Sequence, residues 1–106
     1  MIGVFDSGLG GLSVLNALVA ALPNADYIYF ADSANSPYGN KTEAFIQSRV
    51  LSIGDYLAGK GCSMIVVACN TATVAAIQAL RSRHPTIAIV GVEPGIKPAA
   101  DRKSVV

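Results

Sequence analysis

Short apolar runs alternate along the chain with longer stretches whose apolar residues recur at helical spacing. Ile2 to Phe5 is a brief strand-like run, ended by Asp6-Ser7-Gly8-Leu9-Gly10-Gly11. Leu12, Leu15, Leu18, Val19 and Leu22 then mark one face of a helix, closed by Pro23-Asn24. Tyr27 to Ala31, aromatic and β-branched, predicts a second strand. The segment from Asp32 to Asn40 carries Ser, Asn, Pro and Gly, and its polarity predicts a loop outside the core. A helix is expected from about Lys41 to Ala58, with Ile46, Val50, Ile53 and Leu57 as its buried stripe and Gly59 and Gly61 ending it. Met64 to Ala68 is a third strand. A helix from about Thr71 to Arg83 follows and is expected to bury Val74, Ile77 and Leu80. Ile87 to Val92 is a fourth strand, Glu93 to Pro98 a turn with room for one helical turn, and Ser104-Val105-Val106 the opening of another strand.

This alternation, with right-handed crossovers, predicts a single α/β domain over residues 1–106: a doubly wound, flavodoxin-like parallel sheet of about four strands with helices on both faces. A hydrophobic fraction of 52% and a charged fraction of 14% suit strands covered on both sides. No apolar stretch reaches the roughly 18 residues that span a bilayer. A formal net charge of +1 gives no electrostatic case for nucleic acid or an anionic membrane as partner. Cys62 and Cys69 are too close together, with too few ligand-type neighbours, for zinc, so no metal is expected. The start, Met-Ile-Gly-Val-Phe, lacks the features of a signal peptide, which predicts a cytoplasmic protein with reduced thiols.

Ligands of doubly wound sheets bind at the carboxyl ends of the strands, and the polar motifs fall there. In Ala68-Cys69-Asn70-Thr71-Ala72-Thr73, a cysteine stands where a strand ends and a helix begins. Oriented N–H groups and the helix dipole favour thiolate at such a place; the alternative is a packed strand-end cysteine. Asn70 and Thr71 are placed to cap that helix or to bind a ligand carboxylate together with its free N–H groups, two compatible roles. The Asp6 to Gly11 turn either cradles an anion or is a structural turn capped by Ser7. It matches neither the P-loop nor the dinucleotide pattern, and the acid at its mouth argues against a polyanion. In Ser36-Pro37-Tyr38-Gly39, proline fixes one dihedral and glycine permits positive φ, so Tyr38 sits on a stiff turn, binding a ligand or simply lying at the surface. Cys62 reads as a packing residue, and His84, in the basic helix end Arg81 to His84, as structural.

Together, four stretches resemble the glutamate racemases, cofactor-independent enzymes of the aspartate/glutamate racemase superfamily. They are Gly3 to Ser13, Pro37-Tyr38-Gly39, Val67 to Thr73, and Gly91 to Ala99, in the family's order and spacing across nearly all of residues 1 to 100. The resemblance implies a two-thiol mechanism. Cys69 matches the thiolate that removes the α-proton of glutamate, and Asp6 matches the acid that assists it. Ser7, Tyr38, Gly39, Asn70 and Thr71, with Asp6, match groups that bind the substrate. No cofactor is implied. Nothing here matches the family's second Cys-Thr-His motif: Cys62 is followed by Ser63-Met64. The chain therefore reads as the first half of a two-domain racemase, an incomplete N-terminal domain inactive alone, with self-association expected through uncovered apolar surface. D-Glutamate for peptidoglycan is the product the resemblance implies. The alternatives are a racemase of aspartate or a related amino acid, or a non-catalytic α/β ligand-binding module.

Overall fold

The computed structural model describes residues 1–8 and 11–92. Its elements are β1 (Ile2–Asp6), α1 (Gly11–Ala21), β2 (Tyr27–Ala31), α2 (Glu43–Gly59), β3 (Met64–Val67), α3 (Asn70–Arg83) and β4 (Ala88–Gly91), with 3-10 turns at Ser33–Asn35 and Tyr38–Asn40. The expected elements at Glu93–Pro98 and Ser104–Val106 lie outside the described residues. The four strands are all parallel, in the order β2-β1-β3-β4. Phe5 pairs with Phe30 on one side and Val67 on the other, so β1 and β3 end side by side at the centre of the sheet. From β1 the chain steps outward to β2, then crosses back to β3 and β4. The order reverses between β1 and β3, and the crevice at such a reversal is where open α/β sheets bind ligands.

Strand alternation divides the core between the two faces. Phe5, Ile65, Val67 and Ile89 pack with Ile46, Val50, Ile53 and Leu57 of α2 and Ala72, Ala76 and Leu80 of α3. Ile2, Val4 and Val66 face the other way, against Val14, Leu15 and Leu18 of α1. The stripe expected for α2 is buried in full. Its start is fixed by Thr42, whose hydroxyl accepts from the Phe45 N–H at 3.1 Å.

Both other helices are rotated from the expected face. In α1, Leu12 is 56% exposed and Val19 is also exposed, while Leu22 lies beyond the helix. The helix has no charged residue, so periodicity alone leaves its inward face undecided. Gly11, the buried residue of the helix, lies directly against the Asp6 side chain. In α3, Val74 is 76% exposed, and the inward positions are Ala72, Thr73, Ala76 and Leu80, with Ile77 half-buried. Close packing of α3 on α2 selects the small side chains. The loop from Asp32 to Asn40 also differs from expectation: Asp32 and Tyr38 are both buried, and the Tyr38 ring is part of the core.

One helix does not cover the whole of its sheet face. An apolar groove of about 400 Å³ runs beside α1, lined by Val14, Ala17, Leu18, Met64, Val66 and Val90 among others. No helix among the described residues is long and apolar enough to cross a membrane.

Candidate active site

Asp6 ends β1 and is completely buried. Its Oδ1 accepts the Gly8 N–H at 2.7 Å, and its Oδ2 accepts the Tyr29 hydroxyl at 2.8 Å. A Cβ on Gly11 would collide with the Asp6 carboxylate, so glycine is required at the first residue of α1. The α1 N-terminus is thus met by the chain's own carboxylate, which disfavours a bound phosphate there. Gly8 has φ +103, and a Cβ there would lie 2.9 Å from the Ser33 Cα, so the turn tolerates only glycine on both counts. Ser7 is buried, but α1 begins at Gly11, so Ser7 is not its cap. Burial and the neighbouring Asp6 push the Tyr29 phenol up to about 12.

A second carboxylate stands one strand over. Asp32 accepts from Arg49 Nε and Nη2, both at 2.9 Å, from the Tyr38 hydroxyl at 2.6 Å and from Asn35 Nδ2 at 3.1 Å. Burial raises its pKa, but the hydrogen bonds from Arg49, Tyr38 and Asn35 outweigh that and hold the carboxyl below the ordinary aspartate value. The Tyr38 phenol is pushed well above the usual tyrosine range by burial and by Asp32. Its hydroxyl therefore points into the protein. Gly39 beside Tyr38 is exposed, and its φ lies outside the left-handed region that glycine permits.

Cys69 is the N-cap residue of α3, with extended backbone (φ −106, ψ 124) and no capping hydrogen bond from its side chain. The side chains of Asn70 and Thr71 are exposed. Thr73 turns inward, its Oγ1 donating to the Cys69 carbonyl at 3.0 Å. The Cys69 thiol packs at the edge of the core on the α2–α3 face. Asp6 belongs to the α1 face, so thiol and carboxylate flank the ends of adjacent strands from opposite sides. No hydrogen bond joins them among the described residues. An open cleft of about 440 Å³ borders the α3 N-terminus, lined by Lys41, Glu43, Ile46, Asn70, Thr71 and Val74 among others. Sequence reasoning missed Asp32 and Arg49, whose partnership spans seventeen residues, and also Lys41, a cation beside the uncapped helix start.

Cys62 is buried in the core, and burial pushes its thiol up. His84 Nε2 lies 2.9 Å from Asp55 Oδ1, and Arg83 makes two bonds to the same carboxylate, a surface tie between α2 and α3. Both residues thus have the structural surroundings expected of them. Among the described residues no group of three His, Cys, Asp or Glu side chains is placed to hold a metal ion.

No protein-family model matches the chain. A glutamate racemase of Cupriavidus pinatubonensis is 56% identical over 99 residues, which cover 93% of this chain and 36% of that protein. Among solved structures, the Escherichia coli glutamate racemase in complex with L-glutamate and the activator UDP-MurNAc-Ala is 46% identical, with a TM-score of 0.87, over 93% of this chain and 37% of that one. The Francisella tularensis glutamate racemase in complex with D-glutamate is 39% identical, with a TM-score of 0.80, over 85% and 34%. The chain spans little more than a third of the length of the relatives it matches. In sequence and in fold, it is related to the glutamate racemases over that part of their length.

Proposed function

We propose that this chain supplies the first half of a glutamate racemase active site, as an incomplete N-terminal domain of a two-domain enzyme. The observation that carries the reading is the placement of Cys69 and Asp6 at the ends of β3 and β1, where the strand order reverses. The α-hydrogen of an amino acid is only weakly acidic, so its removal needs a positioned base and stabilisation of the developing negative charge. The Cys69 thiolate takes that proton, and the electron pair passes to the α-carbon and its carboxylate. The uncapped N–H groups at the α3 start, with Asn70 and Thr71, hold that carboxylate. Asp6, fixed through both oxygens, assists proton transfer. Ser7 and the backbone of the Tyr38–Gly39 turn complete the binding groups. A second thiol, outside these residues, returns a proton to the opposite face and inverts the centre. No cofactor takes part.

The setting is the cytoplasm, and the product serves peptidoglycan synthesis. The apolar groove beside α1 makes self-association the expected behaviour of the 106-residue chain alone. The test is D-glutamate formation from L-glutamate, followed by circular dichroism, for the full-length protein and for this chain. Turnover by the former and none by the latter is expected. Racemisation by the isolated chain would overturn the half-site, and turnover of aspartate in place of glutamate would overturn the substrate.

A further inference from the structure

Resting on the racemase reading, we propose that Asp32 and Arg49 are positioning residues: a latch from β2 to α2 that holds the Tyr38–Gly39 turn at the mouth of the substrate crevice. Asp32 is 4% exposed and follows the edge strand β2 directly. Its backbone N–H donates to the Asp6 carbonyl at 2.9 Å, tying it to the end of β1. Its carboxylate gathers donors from three places: Asn35 in the first 3-10 turn, Tyr38 in the second, and Arg49 on α2. The guanidinium binds through two nitrogens, which fixes direction as well as distance. The Tyr38 ring is pinned against Phe5, with centroids 6.2 Å apart. Both ends of one side chain are therefore fixed, by ring packing and by the hydroxyl.

The result is a turn held from several sides, with Gly39 as its exposed member. A Cβ on Gly39 would meet no atom within 4 Å, and its φ does not demand glycine. Rigidity spent on presenting such a residue fits a turn placed for a ligand. Arg49 is not among the residues that line the cleft, and its bonds go to Asp32, so its effect runs through Asp32 and Tyr38.

Arg49→Lys tests this, since lysine keeps the charge but not the two-nitrogen grip. Two readouts are taken. Hydrogen exchange in the 106-residue chain is expected to accelerate about tenfold at the amides of Asn40 and Lys41, with the strand amides unchanged. In the full-length enzyme, KM for glutamate is expected to rise about tenfold with kcat within a factor of about two, the pattern of lost ground-state and transition-state binding alike. Unchanged exchange, exchange accelerated uniformly across the sheet, or failure to fold would each overturn the latch. Accelerated exchange with unchanged KM would overturn its role in positioning substrate groups. A wild-type protein that does not racemise would refute the functional reading, and the exchange experiment would still decide whether the turn is latched.

Discussion

The hydroxyl of Tyr29 donates to Oδ2 of Asp6 at 2.8 Å, across the β1–β2 pair. The register sets Val4 opposite Tyr29 and Asp6 opposite Ala31, so the tyrosine reaches diagonally along the same face. A strand-to-strand contact thereby orients the carboxylate nearest the reversal of strand order.

Tyr29→Phe removes that bond while keeping the ring. Losing one donor to a buried carboxylate is expected to destabilise the chain by about 1–3 kcal/mol in urea denaturation. In the full-length enzyme kcat is expected to fall with KM little changed. The wild-type phenol, raised to about 12, favours the fold below its ordinary value near 10, and this contribution is lost as pH rises through about 12. Stability measured between these values should fall in the wild type and fall less in Tyr29→Phe.

Asp32 predicts the opposite limb. Its folded carboxyl titrates below the unfolded value, so its contribution is present above about pH 4 and is lost as pH falls through the lower folded value. Asp32→Asn should be less stable at neutral pH and show a flatter acid limb in denaturant melts. An identical acid limb in both proteins would remove Asp32 from the account.

The two thiols should separate by reactivity. Both cysteines are buried in the same core cluster, but burial pushes the Cys62 thiol up, whereas Cys69 stands at the start of α3 with no side-chain capping bond. Limited alkylation near neutral pH, read by peptide mass spectrometry, should label Cys69 first. Faster labelling of Cys62 in the folded protein would contradict the assignment.

Gly39→Ala divides fold from function. With open space around the new methyl and no left-handed φ, the variant should be as stable as the wild type or up to about 1 kcal/mol more so. In the full-length enzyme, KM for glutamate should rise. An unchanged KM would show that the turn does not approach the substrate.

The sheet was legible because its strands are near-continuous apolar runs between glycine-rich or polar breaks: β2 matches its expected span, and β1, β3 and β4 differ only at their ends. The α2 stripe was equally plain, because charged residues flank it. The faces of α1 and α3 were not, since α1 is apolar all round and α3 buries alanines and a threonine in preference to Val74. Cys69, Asp6 and the Tyr38–Gly39 turn stood out as motifs beside strand ends. The Asp32–Arg49 pair did not, because two charged residues in a polar loop and on a helix carry no sign that they will meet. The burial of Tyr38 was hidden for the same reason: Asp32, not local sequence, satisfies its hydroxyl.

Removal of the α-proton by Cys69 leaves its mark in deuterated water. The full-length enzyme should convert L-glutamate to D-glutamate carrying solvent deuterium at the α-carbon. Cys69→Ser, whose hydroxyl is far harder to ionise than a thiol, should form no D-glutamate while keeping its fold. A folded Cys69→Ser protein that still inverts glutamate at a rate near the wild type would contradict the assignment of Cys69 as the base.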